Sequence, residues 1–207
     1  MTSSTTDVID LLAGIREGSS LHALRTARTQ ARDNAQKSYE ALFEPALEGD
    51  VSRSERFVLA SFVAGLHAAD SATQFYLTAL EKVEREHALI DAVKAEVNGG
   101  RTVGPYGHYP AGPLSAEDRE GLVYHISEAG RPVLGSKLSA ALEHAHLLVY
   151  RPREASAEAL QRLLNAGWTT TGVVTLSQIV AFLSFQIRVI AGLSALSAAS
   201  AEQAISA

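Results

Sequence analysis

The sequence feature that most limits the fold is an apolar run over residues 54–80, SERFVLASFVAGLHAADSATQFYLTAL. It is the most apolar run in the first half of the chain, and Ser52 or Ser54 stands before it as a helix N-cap. The same segment continues to Asn98-Gly99-Gly100, a sequence that ends helices. One helix over that whole span would be unusually long. We therefore predict a break, with Gly65 as the candidate position.

Helical patterns also dominate the remainder of the chain. The segment after Ser19 and Ser20 carries regularly spaced apolar residues, namely Leu21, Leu24, Ala31, Ala35, Tyr39 and Leu42. A second long apolar stretch, residues 173–196, is interrupted by Gln186 and Arg188, which favours a buried helix over a membrane span. No strand alternation and no hairpin signal occurs in the sequence. The predicted fold is all-α.

The composition excludes several classes of function. The chain of 207 residues contains no cysteine, which rules out disulfides, thiolate metal sites and a cysteine nucleophile. Its formal net charge is −5 and no basic cluster stands out, which argues against nucleic-acid binding. The start, MTSSTTDVIDLL, lacks the pattern of a signal peptide. We expect a soluble, cytoplasmic protein without a membrane partner.

A loop rich in glycine and proline, residues 99–114, divides the chain. Ser115 then begins a predicted short helix, because acidic residues follow it in the first turn. Tyr106 and His108 lie among the loop glycines and prolines. They are candidate substrate-binding residues if the loop is a lid over a pocket; the alternative is a surface or interface loop.

The two halves of the sequence follow a similar plan. A helix ending in a proline, LFEP at 42–45 and VYRP at 149–152, precedes an acidic linker, a capped helix and a long apolar helix. This repetition predicts two related halves, residues 36–98 and 132–196, packed around one core within a single domain of residues 1–207.

This arrangement resembles the alkylhydroperoxidase D and carboxymuconolactone decarboxylase family. The second half carries a helix, an AGW turn at 166–168 and a long apolar helix ending in an arginine and small residues. The peroxidase branch of that family has a glutamate, eleven residues, a cysteine, two residues, a cysteine, three residues and a histidine. On this chain those positions hold Glu55, His67, Asp70 and Gln74.

The substitutions exclude the thiol chemistry of that branch. A histidine cannot form a sulfenic acid, nor a disulfide with an aspartate, so this chain is not a thiol peroxidase. The decarboxylase branch of the family works without thiols, by proton transfer on a small organic acid or lactone. The resemblance therefore implies cofactor-free acid–base catalysis, with no metal required.

The candidate catalytic residues are Glu55, His67, Asp70 and Gln74. On one helix His67, Asp70 and Gln74 would share a face, with Asp70 orienting His67 as a general base. Glu55 lies about 18 Å away along a straight helix and would join them only across a break or from another subunit.

Each candidate also has a structural interpretation. The histidine–aspartate pair could be a satisfied polar contact, Glu55 a first-turn carboxylate, and Gln74 a partner of the backbone. Zinc or manganese binding by Glu55, His67 and Asp70 is a further alternative.

Three further polar side chains lie on predicted helices outside the loop. Arg188, as a buried arginine, would either pair with a carboxylate or bind an acidic substrate. His144 and His146 are predicted to face different sides of one helix, one packed and the other solvated.

Two functions follow from this sequence. One is acid–base catalysis on a small-molecule ligand. The other is a non-catalytic oligomeric scaffold or an accessory to a redox or flavin-dependent pathway. In both cases the resemblance and the alanine-rich apolar helices predict a homo-oligomer, as a dimer, trimer or hexamer.

Overall fold

The computed structural model describes residues 6–205, and the side chains of residues 6–200. This part of the chain is helical, and its only β-type pairing is an isolated bridge between Gly107 and Arg119. The all-α prediction is confirmed. The helices are α1 Val8–Leu12, α2 Ser20–Thr26, α3 Thr29–Phe43, α4 Arg53–Leu66, α5 Asp70–Val83, α6 His87–Gly100, α7 Gly130–Tyr150, α8 Ala157–Asn165 and α9 Thr170–Ile205.

The described chain forms two compact units. The first combines the segment up to Pro45 with the segment from Phe185 onward, and the second runs from Ala46 to Ser184. The first unit contains a charge cluster, in which the guanidinium groups of Arg25 and Arg32 bind the buried carboxylates of Asp7 and Asp10. Arg25 Nη2 lies 2.6 Å from Asp7 Oδ1, and Arg32 Nη2 lies 2.8 Å from Asp10 Oδ2. These pairs join α1 to α2 and α3.

Helix α4 is the centre of the second unit. Every residue from Arg56 to Leu66 is buried, which marks a helix surrounded by others rather than one on a surface. Its start is fixed by a capping box, in which Ser52 Oγ accepts from the Glu55 amide and Glu55 Oε2 accepts from the Ser52 amide.

The break in the apolar run lies at residues 67–69, so the predicted break at Gly65 is wrong. Gly65 belongs to α4 and provides space for α6, because a Cβ at this position would lie 2.4 Å from Val97 Cγ1. The chain turns instead at Ala68, a non-glycine residue with φ of 52°. The last carbonyls of α4 accept hydrogen bonds from side chains: Arg101 Nε donates to Gly65 O at 2.7 Å, and Tyr150 Oη to Leu66 O at 2.5 Å.

The short helix predicted from Ser115 is also wrong. The structure has only a 3₁₀ turn, Pro113–Glu117, followed by an extended segment that leads to α7. Contacts with residues distant in the sequence keep this segment extended. Glu96 accepts hydrogen bonds from Tyr124 Oη and Ser127 Oγ, and Glu143 Oε1 accepts from the Ile126 amide at 3.0 Å. Two carboxylates from other helices therefore override the local helix signal.

Helix α7 and the first part of helix α9, up to Ser184, belong to the second unit. Helix α7 is kinked at Gly135, whose φ of 67° favours glycine. The indole of Trp168 is buried before α9 and donates to Lys137 O at 2.8 Å. Helix α9 is long and apolar enough to cross a membrane by length and composition, a test that core helices of soluble proteins also pass. The predicted pseudo-repeat and single domain stay predictions.

A glycine-to-alanine pair tests the packing of α4 against α6. Gly65→Ala should lower the free energy of unfolding by about 1–3 kcal/mol, because the new methyl group overlaps Val97. Gly99→Ala, in α6 with open space at its Cβ position, should be neutral or stabilising by up to about 1 kcal/mol. Urea unfolding measures both.

The double variant Gly65→Ala with Val97→Ala checks the cause. It should lose less than the sum of the two single changes, because the smaller side chain removes the overlap. Strict additivity would contradict the packing explanation.

Candidate functional site

Glu55, the first of the predicted catalytic residues, has structural partners. Besides its part in the capping box, its Oε1 lies 2.6 Å from Lys137 Nζ. Lys137 in turn lies over the ring of Trp168, 4.7 Å from the ring centroid. These contacts tie the start of α4 to α7.

His67, Asp70 and Gln74 do not share one helix. His67 is the C-cap of α4, half-buried, with Nε2 3.4 Å from Ser184 Oγ, whereas Asp70 begins α5. The Asp70 side chain is 94% exposed and lies 3.9 Å from Arg101. Gln74 is exposed and donates to Thr78 Oγ1 at 3.3 Å. The expected common face is therefore wrong, because the turn at 67–69 separates the histidine from the other two.

The two candidate residues of the loop, Tyr106 and His108, contact different parts of the chain. The ring of Tyr106 covers Gly121, and its amide donates to Tyr150 O at 2.6 Å. His108 is 60% exposed, with Nδ1 3.4 Å from Asp118 Oδ2. The expectation that Arg188 is buried is wrong: its side chain is exposed on α9.

A cavity in the second unit brings together a different set of polar side chains. It has a volume of about 280 Å³ and lies between α7, α8 and the extended segment before α7. Its polar lining consists of Tyr124, His125, Glu143, His144, His146, Arg151 and Arg162. Val123, Ala140, Leu147 and Ala159 complete the lining with apolar groups.

One face of α7 forms the floor of this cavity. Ala140, His144, Leu147 and Arg151 follow one another at intervals of four, three and four residues, so they lie along one side of the helix. His144 stands in the middle of that row. His146 also reaches the cavity, from the flank that faces Tyr124.

Both α7 histidines are buried, so the prediction that one of them is solvated is wrong. The exposed fractions of His144 and His146 are 6% and 1%. They face different sides of α7, but the helix is covered on both sides, by α8 and by the extended segment.

Hydrogen bonding fixes the tautomer of His146. Its Nε2 lies 2.9 Å from Gly100 O, and because a carbonyl only accepts, Nε2 carries the hydrogen and Nδ1 is left as an acceptor. The ring is held between Tyr124 and Tyr150, with centroid distances of 4.7 and 4.8 Å. Burial lowers the pKa of His146, and the charge of Arg151 lowers it further, while the bond to Gly100 opposes the shift.

His144 is the less constrained of the two. Within the described part of the chain no hydrogen bond ties its imidazole, although the residue is buried. Burial lowers its pKa, and the positive charge of Arg162 adds to that effect. A neutral imidazole is therefore favoured, which is the form that accepts a proton.

Most charges at the cavity are compensated by neighbours. Arg151 Nε donates to Glu154 Oε2 at 2.8 Å, and Glu143 Oε1 accepts from Arg131 Nη2 at 3.0 Å. Arg162 lies exposed on α8 and forms no ion pair within the described residues. The cavity thus combines a neutral buried histidine with an arginine that no ion pair holds.

This arrangement can bind an anion and transfer a proton. An arginine holds carboxylate groups through directional hydrogen bonds, and a neutral histidine accepts a proton near neutral pH. Among the described residues, no three histidine, aspartate or glutamate side chains converge as metal ligands. The proposed metal set of Glu55, His67 and Asp70 therefore gains no support.

The sequence pattern alone does not reveal this site, and the reason is physical. Its members come from three separate segments, and only a long-range fold brings Arg162 and Tyr124 to α7. The available signal was local: His144 interrupts the apolar row Ala140, Leu147 on a predicted helix.

No protein-family model matches the chain, and no curated protein or solved structure is significantly similar to it. The resemblance to the alkylhydroperoxidase D and carboxymuconolactone decarboxylase family stays a prediction.

The buried histidines predict a pH dependence of stability. Since their pKa values in the folded protein lie below the ordinary value of about 6.5, the unfolded chain binds these protons first as the pH falls. Their contribution to the free energy of unfolding is therefore fully present above about pH 6.5 and decreases below it. Urea unfolding between pH 7.5 and 5.5 measures this decrease.

The variant His144→Gln should show a smaller decrease than the unmodified protein. The exposed residue His87 supplies a matched control, and His87→Gln should leave the decrease unchanged. An identical pH dependence in the unmodified protein and in His144→Gln would contradict the argument.

Proposed function

We propose that this protein is a cysteine-less relative of the carboxymuconolactone decarboxylase family that carries out cofactor-free acid–base chemistry on a small organic acid or lactone. The proposed site is the cavity at His144, with His144 as the group that accepts and returns the proton. Arg162 holds the anionic group of the substrate at the mouth of the cavity.

One observation carries the proposal: His144 is a buried histidine without a hydrogen-bond partner in the described chain, and it lines a cavity. The ring nitrogens of His144 are not among the fully enclosed unpaired atoms of the described chain, so they are open to the cavity that the residue lines. A ligand in the cavity would supply the missing partner. The perturbed pKa and the concave site are together typical of functional residues.

The mechanism follows from the charge state of each group. Neutral His144 removes a proton from a carbon or oxygen next to a carbonyl of the substrate and becomes an imidazolium. The negative charge that develops on the substrate lies in a cavity lined by Arg162, whose positive charge stabilises it. The imidazolium then returns the proton to the product.

His67 and Asp70 remain the alternative site within the same proposal. His67 is half-buried, but the carboxylate expected to orient it is almost fully exposed. The cavity at His144 is therefore the better-supported position for the acid–base group.

Deuterium exchange tests the function without knowledge of the natural substrate. A panel of small keto acids, unsaturated acids and lactones is incubated with the protein in D₂O, and NMR detects loss of C–H signals or formation of products. We expect exchange with at least one compound, reduced about 100-fold or more in His144→Gln, since general base catalysis contributes about 10²–10⁴-fold.

Two further variants locate the activity. His87→Gln should retain full exchange, because His87 is exposed at the start of α6. If His67→Gln abolishes exchange while His144→Gln does not, the cavity assignment is wrong and the site predicted from the sequence is the active one. Exchange that survives in both variants would overturn acid–base catalysis by either histidine.

A second candidate function is an oligomeric scaffold, and helix α9 favours it. Only 44% of the residues in the most apolar window of α9 are buried within the single chain. A helix of such apolar composition needs a cover, and a second copy of the chain would supply one. Oligomer formation is compatible with catalysis, whereas the scaffold function requires no activity.

The molar mass of the protein in solution tests whether it forms an oligomer. Light scattering should give a multiple of the 22.0 kDa chain mass, and Val174→Asp, at a 53% exposed position of α9, should reduce it. Leu47→Asp, at an 87% exposed position outside α9, is the control and should leave the mass unchanged. A protein that is a monomer at tens of micromolar would contradict this expectation.

A further inference from the structure

The balance of charge at the His144 cavity indicates which acids it accepts, an argument that rests on the proposed function. Arg151 is compensated by Glu154, and Arg131, next to the lining, by Glu143. The nearest acid on α8, Glu158, is fully exposed and hydrogen-bonds Ser156 and its own backbone at the helix start; the charge of Arg162 acts on it, but the two side chains form no ion pair. Among the described residues, Arg162 is therefore the cavity arginine that no carboxylate holds in an ion pair, and its guanidinium donors can bind a ligand.

The size and polarity of the cavity also limit which ligands it can bind. A cavity of about 280 Å³ lies just below the usual range for ligand pockets, about 300–1,000 Å³, so it suits a compact molecule. The floor beside His144 presents Ala140 and Leu147, and α8 adds Ala159; these apolar groups favour an uncharged carbon body. A second carboxylate would meet no free cation there and would lie near Glu143.

We infer that the cavity binds a small monocarboxylate, with its carboxylate on the guanidinium of Arg162 at the mouth and its carbon body over the floor at His144. Arg162 is then the residue that selects for one negative charge. The carboxylate is held away from His144, so the imidazole faces the part of the substrate that exchanges a proton. Dicarboxylates and neutral analogues are discriminated against by the same single cation.

Three probes of similar size test the inference by calorimetry: benzoate, its neutral analogue benzamide, and the dicarboxylate phthalate. Benzoate should bind at least about tenfold more tightly than benzamide or phthalate, in keeping with a hydrogen-bonded charge pair. Arg162→Gln should weaken benzoate by about tenfold or more and leave benzamide unchanged. Arg162→Lys should restore only part of the affinity, because an ammonium lacks the planar donor pair.

The controls separate this inference from the proposed function. Arg85→Gln removes an exposed arginine that does not line the cavity and should not alter benzoate binding. His144→Gln should still bind benzoate while it loses deuterium exchange. Benzoate binding that depends on Arg162, without any exchange that depends on His144, would overturn the catalytic function and leave the inference standing.

Several results would overturn the inference itself. Equal affinity for benzoate and benzamide would show that no cation selects the ligand. Benzoate affinity unchanged in Arg162→Gln, or tighter binding of phthalate than of benzoate, would show that another group holds the anion. The absence of binding by all three probes would exclude a monocarboxylate site, whereas exchange on neutral lactones in the same protein would leave the function intact.

Discussion

The hydrogen bonds that end α4 organise the second unit. The last carbonyls of any helix lack partners within the helix, and inside a core they must find them elsewhere. Here Arg101 and Tyr150 supply donors to Gly65 and Leu66, and His146 does the same for Gly100 at the end of α6. Two of these three side chains belong to α7. The ends of α4 and α6 are thereby fixed to the helix that carries the cavity floor.

The wall of the cavity depends on a second long-range constraint. Glu96 and Glu143 bind the extended segment at Tyr124, Ile126 and Ser127, and burial together with Glu96 raises the pKa of Tyr124, which keeps its hydroxyl a donor. A helix in this segment would satisfy its own backbone but would leave the buried Glu96 without partners. The cost of an unpaired buried carboxylate exceeds the modest helix preference of a few residues.

These constraints explain what the sequence could and could not predict. The start of α4 and the all-α class are encoded locally, in a serine followed by a glutamate three residues later and in apolar periodicity. The turn at Ala68 is not, because alanine has no preference for positive φ; it is closed by a backbone hydrogen bond from the Ala69 amide to Ala64 O, and Arg101 and Tyr150 then cap α4 from distant parts of the chain. For the same reason the expected face of His67, Asp70 and Gln74 fails. A site formed by three separate segments, such as the cavity, cannot be predicted from local sequence patterns.

His144 and His146 illustrate how two neighbouring residues of one type acquire different roles. His146 exchanges its solvation for a hydrogen bond to Gly100 and two aromatic contacts, so its burial is accounted for by structure. His144 receives no such compensation from the described chain, and Arg162 makes its charged form still less favourable. An apolar side chain at that position would pack without the desolvation cost. The fold thus places an imidazole without a hydrogen-bond partner and a guanidinium without an ion pair at one cavity, and an anionic ligand that binds there would stabilise the folded protein.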